Sequence, residues 1–289
     1  MLHKMIRLIL GCGYLGERVA RRWREAGDEV VVITRSAERA TSFGEQGYRA
    51  VVADVTRPET LRNLPAADTV LFAVGYDRTS AQSIAEVYAG GVRNVLDALP
   101  ADTGRFIYIS TTGVYGDANG RWVDERTSPD PQREGGRASL AAEQILAAHP
   151  LGGRGIILRL AGIYGPGRLP FVDKLRDGQP ISAPSAGHLN LIHVDDAATV
   201  VLAAGQLTPF DNGPRIYCVC DGHPVQRGDF YRELARLSGA QPPQFIEPDP
   251  NSPRAARAAA DRRVRNDRML HDLSVKLAYP DYRAGLAAS

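Results

Sequence analysis

The chain opens with an apolar run over residues 6–10 that stops at three glycines, Gly11, Gly13 and Gly16. Apolar residues then recur at helical spacing through Leu15, Val19 and Trp23. Gly27 and Asp28 make a turn, and a second apolar run covers residues 29–34, so the first unit reads strand, helix, strand. Further apolar runs predict strands over 49–53, 69–74, 106–110 and 155–160, and helical spacing predicts helices over 80–99 and 139–149. Beyond residue 160 the pattern breaks into short elements separated by the turn-forming stretches 165–167, 177–180 and 183–187. Helices are predicted there at 194–205 and 227–239, and an extended loop at 241–253.

Strands alternating with helices define an α/β chain with a doubly wound parallel sheet, the Rossmann arrangement. Residues 1–160 are expected to form that domain, with the helix near 194–205 returning to it. Residues 161–289 are expected to form a smaller, less regular part on the substrate side. In such sheets ligands lie beyond the carboxyl ends of the strands, which puts Gly11, Arg35, Asp54, Ala73 and Ser110 around one crevice.

The glycine spacing Gly-x-Gly-x-x-Gly carries its own chemistry. Gly11 makes the tight turn out of the strand, Gly13 lets the backbone approach a pyrophosphate, and Gly16 lets the helix pack on the sheet with its first N–H groups facing the anion. Cys12, Tyr14 and Leu15 complete the turn. The residue after the second strand distinguishes the two nicotinamide cofactors, since an acid there bonds a ribose hydroxyl and a base accommodates a 2′-phosphate. Here it is Arg35, followed by Ser36 and Arg39, which favours NADP over NAD. Asp54, after the third strand, is placed to contact adenine, with turn formation as the alternative.

Composition narrows the partners. The 289 residues are 44% hydrophobic with a net charge of +2, enough for a full core and no argument for a nucleic-acid partner. Of 35 basic side chains only Lys4, Lys174 and Lys276 are lysines. The start does not read as a secretion signal, because Arg7 interrupts the apolar stretch, and no segment approaches membrane-spanning length. Cys12, Cys218 and Cys220 lack the spacing of a metal site, so a cytoplasmic protein with free thiols and no bound metal is expected.

Six ordered motifs, GCGYLG at 11–16, GGVRNVLDAL at 90–99, ISTTGVYG at 109–116, VDERTSPDP at 123–131, RLAGIYGPG at 159–167 and NLIHVDDAA at 190–198, resemble the extended short-chain dehydrogenase/reductases, the NAD-dependent epimerase/dehydratase family. The ending, RVRNDRMLHDL and then YPDYRAGL, is similar to a YeeZ-like branch of it. The resemblance implies an oxidoreductase or a nucleotide-sugar epimerase or dehydratase. It also implies catalysis by a Tyr-x-x-x-Lys pair, in which the tyrosine moves a proton while the lysine stabilises its phenolate and holds the cofactor ribose. At those positions this chain has Gly135 and Ser139, neither of which can do that work. None of its tyrosines is followed by lysine four residues later; Tyr164 has Arg168 at that spacing, on a Gly-Pro-rich loop. The asparagine common in the family's RxxNVYGP motif is replaced by Gly162.

What the resemblance leaves is the strand-end hydroxyl at Thr111, with Tyr115 and Tyr164 as substitute proton donors. Each also has a packing role as the alternative. Arg263 and Arg265, in the basic run 252–266, are candidates for a substrate anion, against a solvated loop. His193 with Asp195 and Asp196 reads as a structural junction, the two acids capping the next helix, more readily than as a base. Tyr76 and Arg78 stand where a loop could close over nicotinamide. The helices at 80–99 and 139–149 correspond to those that pair in the family's dimers, which implies a homodimer. A non-catalytic NADP(H)-binding redox sensor or interaction protein is the alternative to an enzyme.

Overall fold

A computed structural model of the chain describes residues 4–208 and 212–289. Its centre is a seven-stranded sheet: β1 (Ile6–Leu10), β2 (Glu29–Thr34), β3 (Arg49–Val52), β4 (Thr69–Phe72), β5 (Arg105–Thr111), β6 (Gly155–Leu160) and β7 (Arg215–Val219), in the order β7-β6-β5-β4-β1-β2-β3. The pairings from β3 through β5 are all parallel, with Leu8 facing Val31 on one side and Val70 on the other. Order reverses at β1 and β4, so the switch point falls at the glycine turn. Strands buried on both faces explain the continuous Val, Ile and Leu runs. Arg7, inside such a run, is buried because its Nε donates to Asp28 at 2.7 Å and its Nη1 to Thr69.

The chain forms two compact units. One comprises the residues through Thr111, Arg137–Arg159 and Ala198–Tyr217; the other comprises Thr112–Gly136, Leu160–Ala197 and Cys218–Ser289. They therefore interleave along the sequence, where a single boundary near 160 was expected. The helix Val194–Ala204 is divided between them.

In the first unit, helices α1 (Gly16–Glu25), α2 (Ala37–Glu45), α3 (Gly91–Ala98) and most of α4 (Glu134–Ala148) accompany the sheet. Its core joins Leu8, Val31, Val70, Phe72, Phe106 and Tyr108 to Val95, Ala142 and Leu146 of the helices. Two helix expectations need correction. The helix predicted from residue 80 starts later, because Ser83 and Glu86 cap each other: Ser83 N donates to Glu86 Oε2 at 2.6 Å and Glu86 N to Ser83 Oγ at 3.2 Å. It also passes through a π-helical turn, Glu86–Gly90, before α3. At the start of α3 a Cβ on Gly91 would stand 2.9 Å from Val55, so the glycine pair lets the helix approach the sheet. In the other case α4 starts before residue 139, since Gly135 and Gly136 hide its first turn from propensity.

The second unit has its own core of Tyr164, Leu175, Ile181, Phe230, Tyr231 and Tyr282, bordered by two-residue and three-residue strand pairs. The loop expected at 241–253 contains one of these strands, Phe245–Ile246, parallel to Ile181–Ser182. Among the described residues no helix is long and apolar enough to cross a membrane.

At the site end of β5, Glu143 of α4 is buried and accepts from Ser110 Oγ at 2.5 Å. It also accepts from Arg159 of β6 through Nε at 3.0 Å and Nη2 at 2.6 Å. Truncating one partner leaves a buried charge alone. Glu143→Ala is expected to destabilise the protein by about 3–5 kcal/mol in urea unfolding, and the Glu143→Leu, Arg159→Met double variant by clearly less than the sum of its singles.

Candidate active site

The glycine turn is built by close backbone approach. Gly11 has φ +89°, and a Cβ there would fall 2.4 Å from the carbonyl of Ala73, whose N–H bonds Leu10 O at 2.8 Å. A Cβ on Gly16 would lie 2.6 Å from Gly11 O. Gly13 differs: its N–H bonds Gly11 O at 2.9 Å, yet nothing lies within 4 Å of where a Cβ would stand. Leu15, at the N-cap of α1, provides no side-chain cap; Glu17 N bonds Gly13 O at 2.8 Å and Arg18 N bonds Leu15 O at 3.1 Å, which leaves the Gly16 N–H for an outside acceptor. This geometry fits the pyrophosphate of a dinucleotide.

Around the turn, the Cys12 and Leu15 side chains are buried, and burial pushes the Cys12 thiol up to about 12, so it stays protonated. The Tyr14 ring lies 4.3 Å from the Arg18 guanidinium. Arg39 Nη2 donates to Cys12 O at 2.6 Å and Glu17 at 3.1 Å, which ties α2 to the turn. Ser36 caps α2, accepting from Arg39 N at 3.1 Å. Arg35 is half exposed and stands 3.7 Å from the Asp77 carboxylate. Asp54 Oδ1 accepts from Thr56 N at 2.9 Å and Oγ1 at 2.8 Å, an Asx turn of the kind weighed as its alternative.

At the end of β5, Ser110 turns its hydroxyl to Glu143, so only its backbone is left for a cofactor. Thr111 ends the strand half-buried. Ser139 is buried, and its hydroxyl bonds the phenol of Tyr108 in the sheet beneath. Gly135 lies in the first turn of α4. Neither position holds a titratable group.

Within the second unit, Tyr115 is buried at the end of a single turn, Thr112–Tyr115, with its hydroxyl 3.0 Å from Cys218 Sγ. Tyr164 packs within the core of this unit, the role weighed as its alternative. Its ring is 2% exposed between His193 and Phe230, and its hydroxyl meets the Asp281 carbonyl at 3.4 Å. Burial and the nearby carboxylates Asp221, Asp196 and Asp281 push its phenol well above the usual range. Asp196 caps no helix: its two oxygens accept from Ala278 N at 2.8 Å and Tyr279 N at 2.9 Å. Asp195 N donates to His193 Nδ1 at 3.3 Å, and His193 stacks 3.8 Å from Tyr279.

Arg263 and Arg265 flank the exposed ring of Trp122 at 5.1 and 5.0 Å. Arg263 Nε donates to Gly120 O at 2.7 Å, and Arg265 lies 3.8 Å from Asp267. In the same basic run, the side chains of Arg254 and Arg257 lie outside the described residues. The inward-facing arginine is Arg262, whose Nη1 donates to Gly116 O at 2.6 Å and which has Arg133, Asp117 and Asp261 among its charged neighbours. Sequence reasoning missed both arginines. The one available signal was the place of Arg133, between Pro131 and Gly135.

A parallel sheet that switches order at a Gly-x-Gly-x-x-Gly turn, with an open helix start facing it, defines a nicotinamide-dinucleotide-binding α/β protein. The chain belongs to the NAD dependent epimerase/dehydratase family, whose model matches residues 7–220. It is 32% identical over 285 residues to protein YeeZ of Escherichia coli K12, covering 94% of this chain and 96% of that one. A solved chain from Methylobacillus flagellatus, named for the NAD-dependent epimerase/dehydratases, is 32% identical with a TM-score of 0.79, covering 99% and 97%. A UDP-glucose 4-epimerase from Thermotoga maritima, solved with UDP-glucose, has a TM-score of 0.81 at 18% identity over 98% and 97%, which shows the shared fold. Nicotinamide dinucleotide binding follows at the level of the family.

Two predictions come from this geometry. Gly13→Ala is expected to fold with an unchanged melting temperature and to weaken dinucleotide binding about tenfold or more in fluorescence titration, while Gly11→Ala lowers the melting temperature as well. Asp221 is buried, accepts from His223 N at 2.9 Å, and is pushed up to about 7 by burial. Its folded state thus holds the proton more tightly than the unfolded chain, whose value stays near 3.8, so its contribution to stability falls as pH rises from about 4 through about 7. Asp221→Asn is expected to flatten that slope and raise stability at pH 8 by up to a few kcal/mol, read from urea midpoints at pH 5 and pH 8.

Proposed function

We propose that the chain is an NADP(H)-dependent oxidoreductase or isomerase of the epimerase/dehydratase type that works without the family's Tyr-x-x-x-Lys pair. The observation that carries the cofactor half is the open cradle over Gly13, with Arg35, Ser36 and Arg39 at the end of β2 where a 2′-phosphate would be met. A bound nicotinamide supplies a hydride acceptor or donor. Gly11, Gly13 and the first turn of α1 would hold the pyrophosphate, and Arg35 would exchange its contact with Asp77 for the phosphate.

Thr111 would bond the substrate oxygen, and Tyr115 is the proton-bearing group of this reading. The phenol of Tyr115 lies 3.0 Å from Cys218 Sγ, in the electrostatic surroundings of Arg262. Arg263 and Arg265 remain candidates for anionic parts of the substrate; Arg265 borders an open cavity shared with Asp124, Arg126, Arg268 and His271. We place the protein in the cytoplasm, as a homodimer paired through α3 and α4; light scattering tests the latter.

A second reading is favoured by one observation. Ser139 is committed to Tyr108 rather than turned to a cofactor, as it would be in a protein that binds NADP(H) and reports its redox state without turnover. Unequal affinity for the oxidised and reduced cofactor is required for that.

The enzyme reading expects NADPH consumption with a carbonyl substrate that Tyr115→Phe reduces at least about a hundredfold. It is abandoned if the cofactor binds and no consumption rises above background across small carbonyls and nucleotide sugars. Arg35→Ala is expected to raise the Kd for NADP about tenfold or more and to leave that for NAD nearly unchanged.

A further inference from the structure

Three segments of the second unit lock together around Tyr115. Asp130 N donates to Val114 O at 2.9 Å, and a Cβ on Gly116, at φ +66°, would stand 2.0 Å from Asp130 O. A Cβ on Gly136 would meet Gly113 O at 2.6 Å and Pro131 at 2.9 Å. Arg262 closes the arrangement through its bond to Gly116 O. This packing leaves Arg133, on the 130–136 segment, beside Arg262.

Among the described residues neither guanidinium forms a direct ion pair. Arg133 makes no hydrogen bond or ion pair among the described residues, and Arg262 Nε is buried with no partner among them. Asp117 and Asp261 lie near Arg262 and offset part of its charge, with one oxygen of each engaged elsewhere. Asp117 Oδ1 accepts from Asn119 N at 3.0 Å and Asp261 N at 2.8 Å, while Asp261 Oδ1 accepts from His188 N at 2.8 Å and Nδ1 at 2.9 Å. Burial, and for Arg262 also the charge of Arg133, holds both guanidiniums below their ordinary range. A fold that brings two cations together with no direct ion pair to either is relieved further by a bound anion, and guanidinium forks match the oxygens of carboxylates and phosphates.

We propose that Arg133 and Arg262 seat a carboxylate or phosphate group of the substrate beside Tyr115 and Gly135. The proposal rests on the reading of this region as the substrate side and adds the substrate's class: a small molecule whose oxyanion lies next to its reacting carbon. It gives the basic pair a role at the positions where the family's proton donor is missing.

The test is titration of the full-length, NADP-loaded protein with inorganic phosphate and, separately, malonate, by calorimetry and thermal shift, against sodium chloride at matched ionic strength. The expected result is saturable binding of at least one of the two, weakened about tenfold or more by Arg133→Gln and by Arg262→Lys, with the NADP affinity unchanged. The preferred anion separates a phosphorylated from a carboxylated substrate. No response beyond that of chloride, or variants that bind as tightly as the parent, would overturn the proposal. Should Arg262→Lys fail to fold, Arg133→Gln, a half-exposed position, decides alone. Loss of NADP binding in the parent protein would instead remove the cofactor reading and leave the anion result to stand separately.

Discussion

The structure depends on one steric constraint, the close contact of Gly11 with the backbone of Ala73. The chain leaving β1 must turn at φ +89° while it passes within reach of the strand beside it, and any side chain would collide with that strand's carbonyl. That turn sets the start of α1, and through it Gly16 packs against Gly11 O and Arg39 reaches Cys12 O. The switch in strand order between β1 and β4, the open first turn of the helix and the arginines after β2 are then brought to one end of the sheet. A dinucleotide site is the consequence of how two strands and a helix must meet.

A second constraint works at the other side of the same sheet end. The buried Glu143 links α4 to β5 and β6 through Ser110 and Arg159. Buried charge held by three groups resists drift in position, because moving any partner leaves an unsatisfied ion.

Much of this was legible before any coordinates. Period-two and buried apolar runs marked all of β1 to β6 within a residue or two, since strands covered on both faces must be apolar throughout. The glycine spacing and Arg35 were readable because they act through backbone space and position alone. Less was readable where short-range bonds decide. The Ser83–Glu86 capping box delayed a helix that apolar spacing alone extends to residue 80, and two glycines concealed the first turn of α4.

What the sequence determined by itself is therefore the α/β architecture and the dinucleotide turn, because each is written in local pattern or in residue identity. Tertiary structure alone decided the partners of side chains. Tyr115 and Tyr164 follow equivalent-looking motifs, yet one ends beside a thiol and an arginine and the other inside an aromatic core ringed by carboxylates. Arg262 and Arg263 are neighbours in the chain, yet Arg262 bonds Gly116 O near Arg133 while Arg263, which begins a short strand, lies over Trp122. The pairing of Arg133 with Arg262 joins residues far apart in the chain, and only the packing of the 130–136 segment on the turn at Tyr115 brings them together.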